Sequence, residues 1–266
     1  MATQKPTFIL ITGSWVPPSL YDPLVDPLRA AGYEVHITNH KTNSSTTSQP
    51  LATAYDDAAP IHELATKLAD DGKDIIFLMH SYGGLPGSIA SKGLGKTERQ
   101  QAGKKGGVVR LFFMTAWVPE EGKTGFESVP VGLYPRVQEF PVKHVIQDGW
   151  VGLDFEGRYD WFFEDVPDKE CLRYVSQLVY CSELQGATPI TEVGYKDIPV
   201  SYLVAEHDKT FEPTLQNHWI NLVKEQTGQK VDVYSLPVPH MFMYGKPDKV
   251  NNVVNLVKRV AGEAIV

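Results

Sequence analysis

The sequence predicts an α/β fold in which a mostly parallel, doubly wound sheet carries helices on both faces. Two observations support this prediction: short apolar runs alternate with helix-periodic segments, and small or polar residues directly follow several of the runs. Such alternation is typical of parallel strands joined by helical crossovers. At 266 residues, 42% of them hydrophobic, the chain is long enough to bury one large core.

The predicted elements follow this alternation along the chain. Apolar runs predict buried strands at residues 8–11 and 75–79, and further strands are predicted at residues 33–38, 108–114, 200–204 and 231–236. Apolar residues at helical spacing predict helices between several of these runs, as at positions 61, 64, 65 and 68 and at positions 250, 253, 254 and 257. The Asn-, Ser- and Thr-rich segment 41–48 predicts an exposed loop.

The alternation stops after Trp117 and resumes near residue 196. The intervening segment is rich in aromatic residues, and residues 168–180 place apolar side chains on one helical face. We therefore expect a helical cap inserted over the carboxyl edge of the sheet. The predicted division is a first core part at 1–119, a cap at 120–195 and a second core part at 196–266.

Composition narrows the possible functions. A net charge of −7 argues against nucleic acid or an anionic membrane as a partner. The sequence shows no signal-peptide core and no apolar run of membrane length, so we expect a cytoplasmic protein with a small-molecule substrate. Cys171 and Cys181 lie outside any Cys/His cluster and no glycine-rich phosphate motif occurs, so neither a metal nor a cofactor is predicted. The oligomeric state stays open.

The strand at residues 75–79 runs into Ser81, which is followed by Gly83 and Gly84. A serine on a sharp strand-to-helix turn flanked by small residues forms a nucleophile elbow, which leaves the hydroxyl exposed at the carboxyl edge of the sheet. The usual pattern is Gly-x-Ser-x-Gly, and Met79 stands in place of its first glycine. Ser81 is therefore the predicted nucleophile.

An acid and a histidine follow two later strands, which gives the chain order serine, acid, histidine. Glu206 and Asp208 come after the strand at 200–204, and His240 comes after the strand at 231–236. A serine hydroxyl needs a base to accept its proton, and a buried carboxylate orients the histidine that serves as this base. His240 is the predicted base, and the orienting acid is Asp208 or Glu206.

Attack on a carbonyl also requires N–H donors that stabilise the oxyanion. The backbone N–H of Tyr82, directly after the nucleophile, is the first predicted donor. The second is expected in the loop after the first strand. There Gly13 allows a close approach of the backbone, and Ser14 offers its N–H.

Together these residues resemble the α/β-hydrolase superfamily, and the resemblance covers nearly the whole chain. The segment 11–15, the elbow, Asp208 and His240 are similar to the branch that holds plant methylesterases, hydroxynitrile lyases and fungal and microbial esterases. The resemblance implies the α/β-hydrolase fold and favours Asp208 as the acid. Thr12 is a departure, because this branch usually has a histidine there.

The resemblance also implies a reaction, the cofactor-free hydrolysis of a carboxylic ester or lactone through an acyl-enzyme on Ser81. Two residues typical of the lyases are absent. The lyases carry a threonine at the position of Gly13 and a lysine at that of Met241. A lyase or carbon–carbon bond hydrolase that uses the same triad is the alternative. A non-catalytic ligand-binding protein of this fold is a second alternative.

Aromatic residues in the cap and at two strand ends predict an apolar or aromatic substrate. The cap aromatics can equally form the cap's own core. The candidates for contact with the substrate are Gly13, Trp15, Trp117, Trp150, Trp161, Phe162 and Met241.

Overall fold

The computed structural model describes residues 5–133, 142–164 and 166–264, and its centre is a six-stranded sheet. The strands are β1 (Thr7–Ile11), β2 (Val35–Ile37), β4 (Asp74–Ser81), β5 (Gly107–Ala116), β9 (Val200–Ala205) and β10 (Val231–Leu236). Their order across the sheet is β10-β9-β5-β4-β1-β2, and every neighbouring pair is parallel. The predicted parallel α/β sheet is confirmed.

Helices cover both faces of this sheet. They are α1 (Asp22–Ala30), α2 (Ala54–Asp70), α3 (Gly84–Ala90), α4 (Lys96–Gln101), α6 (Pro213–Thr227) and α7 (Pro247–Ala264), and a further helix, α5 (Asp168–Val175), lies in the predicted cap. In β4, Phe77 and Met79 face the core under α2, α3 and α6, whereas Ile76 and Leu78 face the core under α1 and α7. A strand buried on both faces needs a continuous apolar run, which is the pattern of β4. None of the helices in the described ranges has the length and apolar character needed to cross a membrane.

A second, antiparallel sheet lies within and beside the predicted cap. Its strands are β3 (Asn43–Ser44), β6 (Lys143–Gln147), β7 (Trp150–Asp154) and β8 (Tyr180–Ser182), in the order β3-β8-β7-β6. The turn between β6 and β7 is Asp148-Gly149, with φ of 52° and 80°. An Asp-Gly pair with both residues at positive φ is the favoured two-residue hairpin turn.

Two expectations are therefore corrected. In the described part of residues 120–195 a single α-helix, α5, accompanies three strands, so the cap is not simply helical. The segment 41–48 is not wholly an exposed loop, because Thr42 is fully buried and β3 pairs with β8. Since β3 comes from the predicted first core part, it joins that part to the cap. The division at 119 and 195 stays a prediction, and parts of each range lie outside the described residues.

Candidate active site

Ser81 ends β4 with a φ of 54°, in the left-handed region that residues other than glycine rarely adopt. The turn is tight: a Cβ on Gly83 would collide with the carbonyl oxygen of Ile11, and one on Gly84 with that of Trp117. Only glycine fits where helix α3 leaves the strand so close to two neighbouring backbones. The local sequence thus forms the sharp turn that its pattern predicts.

Met79 replaces the usual first glycine, and a glycine in helix α3 leaves space for its larger side chain. Its side chain is fully buried on the face of β4 that packs against α3. A Cβ on Gly87 in that helix would collide with the Met79 sulfur. The missing side chain of Gly87 therefore makes the room that the larger strand residue occupies, and the elbow keeps its shape.

The structure brings together the three residues predicted as the triad. The Nε2 atom of His240 lies 3.0 Å from Ser81 Oγ, and its Nδ1 atom lies 2.7 Å from Asp208 Oδ2. Because a carboxylate only accepts hydrogen bonds, Nδ1 carries the proton and Nε2 is free to accept one from the serine. The arrangement is chemically competent for general-base activation of a hydroxyl.

Asp208 is held by further donors and is 2% exposed. Its Oδ1 atom accepts the backbone N–H groups of Thr210 at 2.7 Å and Phe211 at 2.8 Å. The Thr115 hydroxyl donates to the same Oδ2 atom that faces the histidine. Glu206, the alternative acid, is exposed and instead accepts the hydroxyl of Ser235 at 2.6 Å. The geometry therefore favours Asp208 as the partner of the histidine.

Sequence reasoning did not anticipate the role of Thr115. It lies in an irregularity of β5, opposite the junction between His80 and Ser81, with a φ of 41°. A β-branched residue at positive φ is strained, and such strain is kept only where surrounding contacts hold it. No signal in the sequence marks this bulge.

A second unpredicted feature is a chain of hydrogen bonds through His80. The Gly13 N–H donates to the Tyr21 hydroxyl at 2.7 Å, and this hydroxyl lies 2.7 Å from His80 Nδ1. The other ring nitrogen, Nε2, donates to the carbonyl of His240 at 3.0 Å. Burial, and to a lesser extent the neighbouring His240, lowers the pKa of His80 well below its usual value. A neutral His80 thus links the first loop to the loop that carries His240.

The two predicted oxyanion donors lie beside the nucleophile in sequence or in space. Tyr82 directly follows Ser81, and a Cβ on Gly13 would lie 3.1 Å from the Cβ of Ser81. Among the described residues, neither the Ser14 N–H nor the Tyr82 N–H donates a hydrogen bond to another protein atom. The Ser14 hydroxyl is engaged elsewhere, since it donates to Gln185 Oε1 at 2.5 Å.

A cavity of about 1050 Å³ opens above Ser81 and His240. Four of the predicted contact residues line it: Trp15, Trp117, Phe162 and Met241. Three do not, namely Gly13, Trp150 and Trp161. Trp150 is fully buried and its indole donates to the Gln49 carbonyl at 3.0 Å, and Trp161 packs against the core beneath α1 and α7. For these two tryptophans the alternative of a packing role is the better description.

Besides Ser14, Ser81 and His240, the cavity wall carries polar side chains that the sequence did not single out as site residues. They are His144, Cys181, Glu183, Gln185 and Thr210. Burial raises the pKa of the Cys181 thiol, so this cysteine stays protonated and is a poor nucleophile. Within the described ranges, no cluster of three or more His, Cys, Asp or Glu side chains is arranged to hold a metal ion.

Comparisons with known proteins agree with this architecture. The model of a family described as the alpha/beta hydrolase family matches residues 8–253. A probable hydrolase from a Phoma species is 26% identical over 250 residues, which cover 94% of this chain and 97% of that protein. Methylesterase 4 of Arabidopsis thaliana is 21% identical over 222 residues, 76% of each chain.

A solved structure shows the same fold. The pyrethroid hydrolase of Sphingobium faniae JZ-2 superposes with a TM-score of 0.68 at 20% identity, and the match covers 97% of each chain. The overall arrangement of sheet and helices is therefore shared with that solved protein.

Proposed function

This chain belongs to the alpha/beta hydrolase family, and we propose that it is a serine hydrolase that cleaves a carboxylic ester or lactone. One observation carries the proposal. The hydrogen-bonded series Asp208–His240–Ser81 ends in a serine at positive φ, on the wall of a large cavity. The similarity to a methylesterase and to a probable hydrolase supports the same reaction class.

In the proposed first half-reaction, Ser81 Oγ attacks the carbonyl carbon while its proton passes to His240 Nε2. Asp208 stabilises the imidazolium that forms. The carbonyl oxygen becomes an oxyanion, which accepts hydrogen bonds from the Ser14 and Tyr82 N–H groups. The tetrahedral intermediate collapses, the bond to the leaving oxygen breaks, and that oxygen takes the proton from His240.

In the second half-reaction, water attacks the acyl carbon and gives a proton to His240 Nε2. A second oxyanion forms at the same two N–H groups and collapses. The Ser81 oxygen leaves, regains the proton, and the carboxylic acid is released. With a lactone the alcohol and the acid are parts of one product, and the steps are otherwise the same.

The cavity supports a bulky, largely apolar substrate. Its volume is at the upper end of the range for small-molecule sites, and its wall includes Trp15, Trp117 and Phe162. Apolar walls favour aromatic or aliphatic ring systems because their burial removes apolar surface from water. We expect aryl esters and lactones with large substituents to have a higher kcat/KM than simple acetates.

The test is a panel of 4-nitrophenyl and naphthyl esters of increasing size, together with aromatic lactones, β-diketones and cyanohydrins. Hydrolysis of esters or lactones by the wild type, lost in Ser81→Ala, supports the proposal. Turnover of β-diketones or cyanohydrins with no ester or lactone hydrolysis would overturn it in favour of a lyase or carbon–carbon bond hydrolase. If the wild type and Ser81→Ala bind a compound of this panel with equal affinity and neither turns it over, a non-catalytic binding protein is favoured.

A further inference from the structure

We propose that Asn43 is a positioning residue of the oxyanion site, and this inference rests on the proposed function. Its carboxamide bonds to the backbone on both sides of Ser14. The Nδ2 atom donates to the carbonyl oxygen of Gly13 at 3.0 Å, and the Oδ1 atom accepts the N–H of Trp15, also at 3.0 Å. A single side chain thus brackets the N–H group that is to stabilise the oxyanion.

Because the peptide unit is planar, the bond from Asn43 to the Gly13 carbonyl also fixes the direction of the Ser14 N–H. The Gly13 carbonyl and the Ser14 N–H belong to one planar peptide unit, and in a trans peptide they point in opposite directions. When Asn43 holds the carbonyl on one side, the N–H must point to the other. Because Gly13 tolerates many backbone conformations, this unit can rotate when nothing holds it.

The rest of the loop is also fixed, which leaves Ser14 as the exception. The N–H groups of Thr12, Gly13 and Trp15 all donate hydrogen bonds, whereas within the described ranges that of Ser14 does not. The carbonyls of Thr12 and Trp15 accept bonds from His40 Nε2 at 2.9 Å and from the N–H of Val179 at 2.9 Å. Because the N–H groups and carbonyls on both sides of Ser14 are bonded, the loop presents the Ser14 N–H in a fixed direction, as preorganised stabilisation requires.

The Asn43 side chain also holds Trp15, whose backbone is strained. Trp15 has a φ of 63°, unfavourable for a bulky residue. Its N–H is held by Asn43 and its carbonyl by Val179. Loss of Asn43 therefore releases both the peptide unit before Ser14 and the strained residue after it.

The experiment compares wild type, Asn43→Ala, Asn43→Asp and Asn39→Ala. Alanine removes both bonds. Aspartate keeps an acceptor for the Trp15 N–H but removes the donor to the Gly13 carbonyl. Asn39 is an exposed asparagine of the same segment and serves as the matched control. Steady-state kinetics on an ester hydrolysed by the wild type, thermal melting, and the affinity of phenylboronic acid are measured for each protein.

We expect kcat to fall about 10- to 100-fold in both Asn43 variants, since a misdirected oxyanion donor costs somewhat less than its removal. We expect KM to change little, because binding of the substrate in its ground state does not depend on the bond between Asn43 and the Gly13 carbonyl. Phenylboronic acid forms a tetrahedral adduct on serine, and its affinity should fall in parallel with kcat/KM. Asn39→Ala should match the wild type.

An unchanged kcat in Asn43→Ala, or a rise in KM at constant kcat, would overturn the inference and leave the proposed function intact. So would an activity loss in Asn43→Ala fully restored in Asn43→Asp, because the Gly13 carbonyl would then be irrelevant. If the folded wild type hydrolyses no member of the ester and lactone panel, the proposed function itself fails and this inference fails with it.

Discussion

The two sides of Ser81 are built from different parts of the molecule. On the acid–base side, Ser81 ends β4, and Asp208 and His240 follow β9 and β10 of the central sheet. On the oxyanion side, Ser14 follows β1, but the loop around it is bonded to the second sheet. Its partners there are Asn43 in β3, Val151 in β7, which accepts the Trp15 indole N–H, and Val179, which precedes β8.

The difference shows two ways in which a fold can place a chemical group. Parallel strands deliver their carboxyl ends to one edge, so the order of strands alone brings a serine, an acid and a base together. An oxyanion donor needs an orientation as well as a place, and for the Ser14 N–H we propose that the side chain of Asn43, in the second sheet, supplies this orientation. His80 connects the two sides through Tyr21 and the carbonyl of His240.

The largest effect is expected on the acid–base side. Asp208→Asn should reduce kcat by about 10⁴-fold, because the amide favours the wrong tautomer of His240. Glu206→Gln, two residues earlier, should leave kcat unchanged because this side chain is exposed and bonds to Ser235. Steady-state assays on an ester substrate measure kcat of both variants. Equal losses in the two variants would contradict the assignment of the acid.

A smaller effect concerns the close packing beneath the elbow. Gly87→Ala should lower the free energy of unfolding by about 1–3 kcal/mol, because the new methyl group overlaps the Met79 sulfur. Met79→Ala alone leaves a cavity and should cost about 2–5 kcal/mol. The double variant should lose less than the sum, by about 0.5–3 kcal/mol, as expected for directly contacting residues.

Urea unfolding measures all three variants. The control is Gly262→Ala in α7, where, apart from its chain neighbours and the backbone of its own helix, no atom of the described residues lies within 4 Å of the added Cβ. It should be neutral or stabilising by up to about 1 kcal/mol. Simple additivity of the two core substitutions would show that Gly87 does not compensate for Met79.

The smallest effect concerns His80, which connects the two sides, and it is an effect of pH on stability. Burial holds the pKa of His80 well below its usual value, so folded protein keeps it neutral while the unfolded chain takes up a proton near about pH 6.5. Below that pH the unfolded state binds more protons, and stability falls as the pH decreases. His80→Gln cannot titrate, yet its amide can accept from Tyr21 and donate to the His240 carbonyl.

We therefore expect the wild type to lose more stability than His80→Gln between about pH 7 and about pH 5, by up to about 1.4 kcal/mol per pH unit. Urea unfolding of both proteins across this range is the measurement. Parallel pH profiles would mean that His80 is not held neutral by the fold.

The same contrast explains what the sequence revealed. The meeting of Ser81 and His240 at one edge was predictable because each comes shortly after a predicted strand, and the chain order serine, acid, histidine was a further signal. Asn43 was not, because residues 41–48 are polar and resemble a loop, and its bonds depend on a strand pairing with residues about 140 positions away.

Other features divide in the same way. The Asp148-Gly149 pair is a hairpin signal in the sequence, and it marks the β6–β7 turn that makes the cap partly a β-structure. Thr115 was not readable, since its contact with Asp208 arises from a bulge that appears only when β4 and β5 pair. Trp150 and Trp161 were misplaced because aromatic residues fill cores and line pockets alike.

The most direct test of the central claim is intact-mass analysis after treatment with a fluorophosphonate, which reacts with activated serines. Wild type, Ser81→Ala and His240→Ala are compared at equal concentration, and the adduct is mapped by peptide digestion. We expect one adduct on the wild type, located on Ser81, and none on either variant. An adduct that persists in Ser81→Ala, or its absence from folded wild type, would contradict the claim that His240 and Asp208 activate this serine.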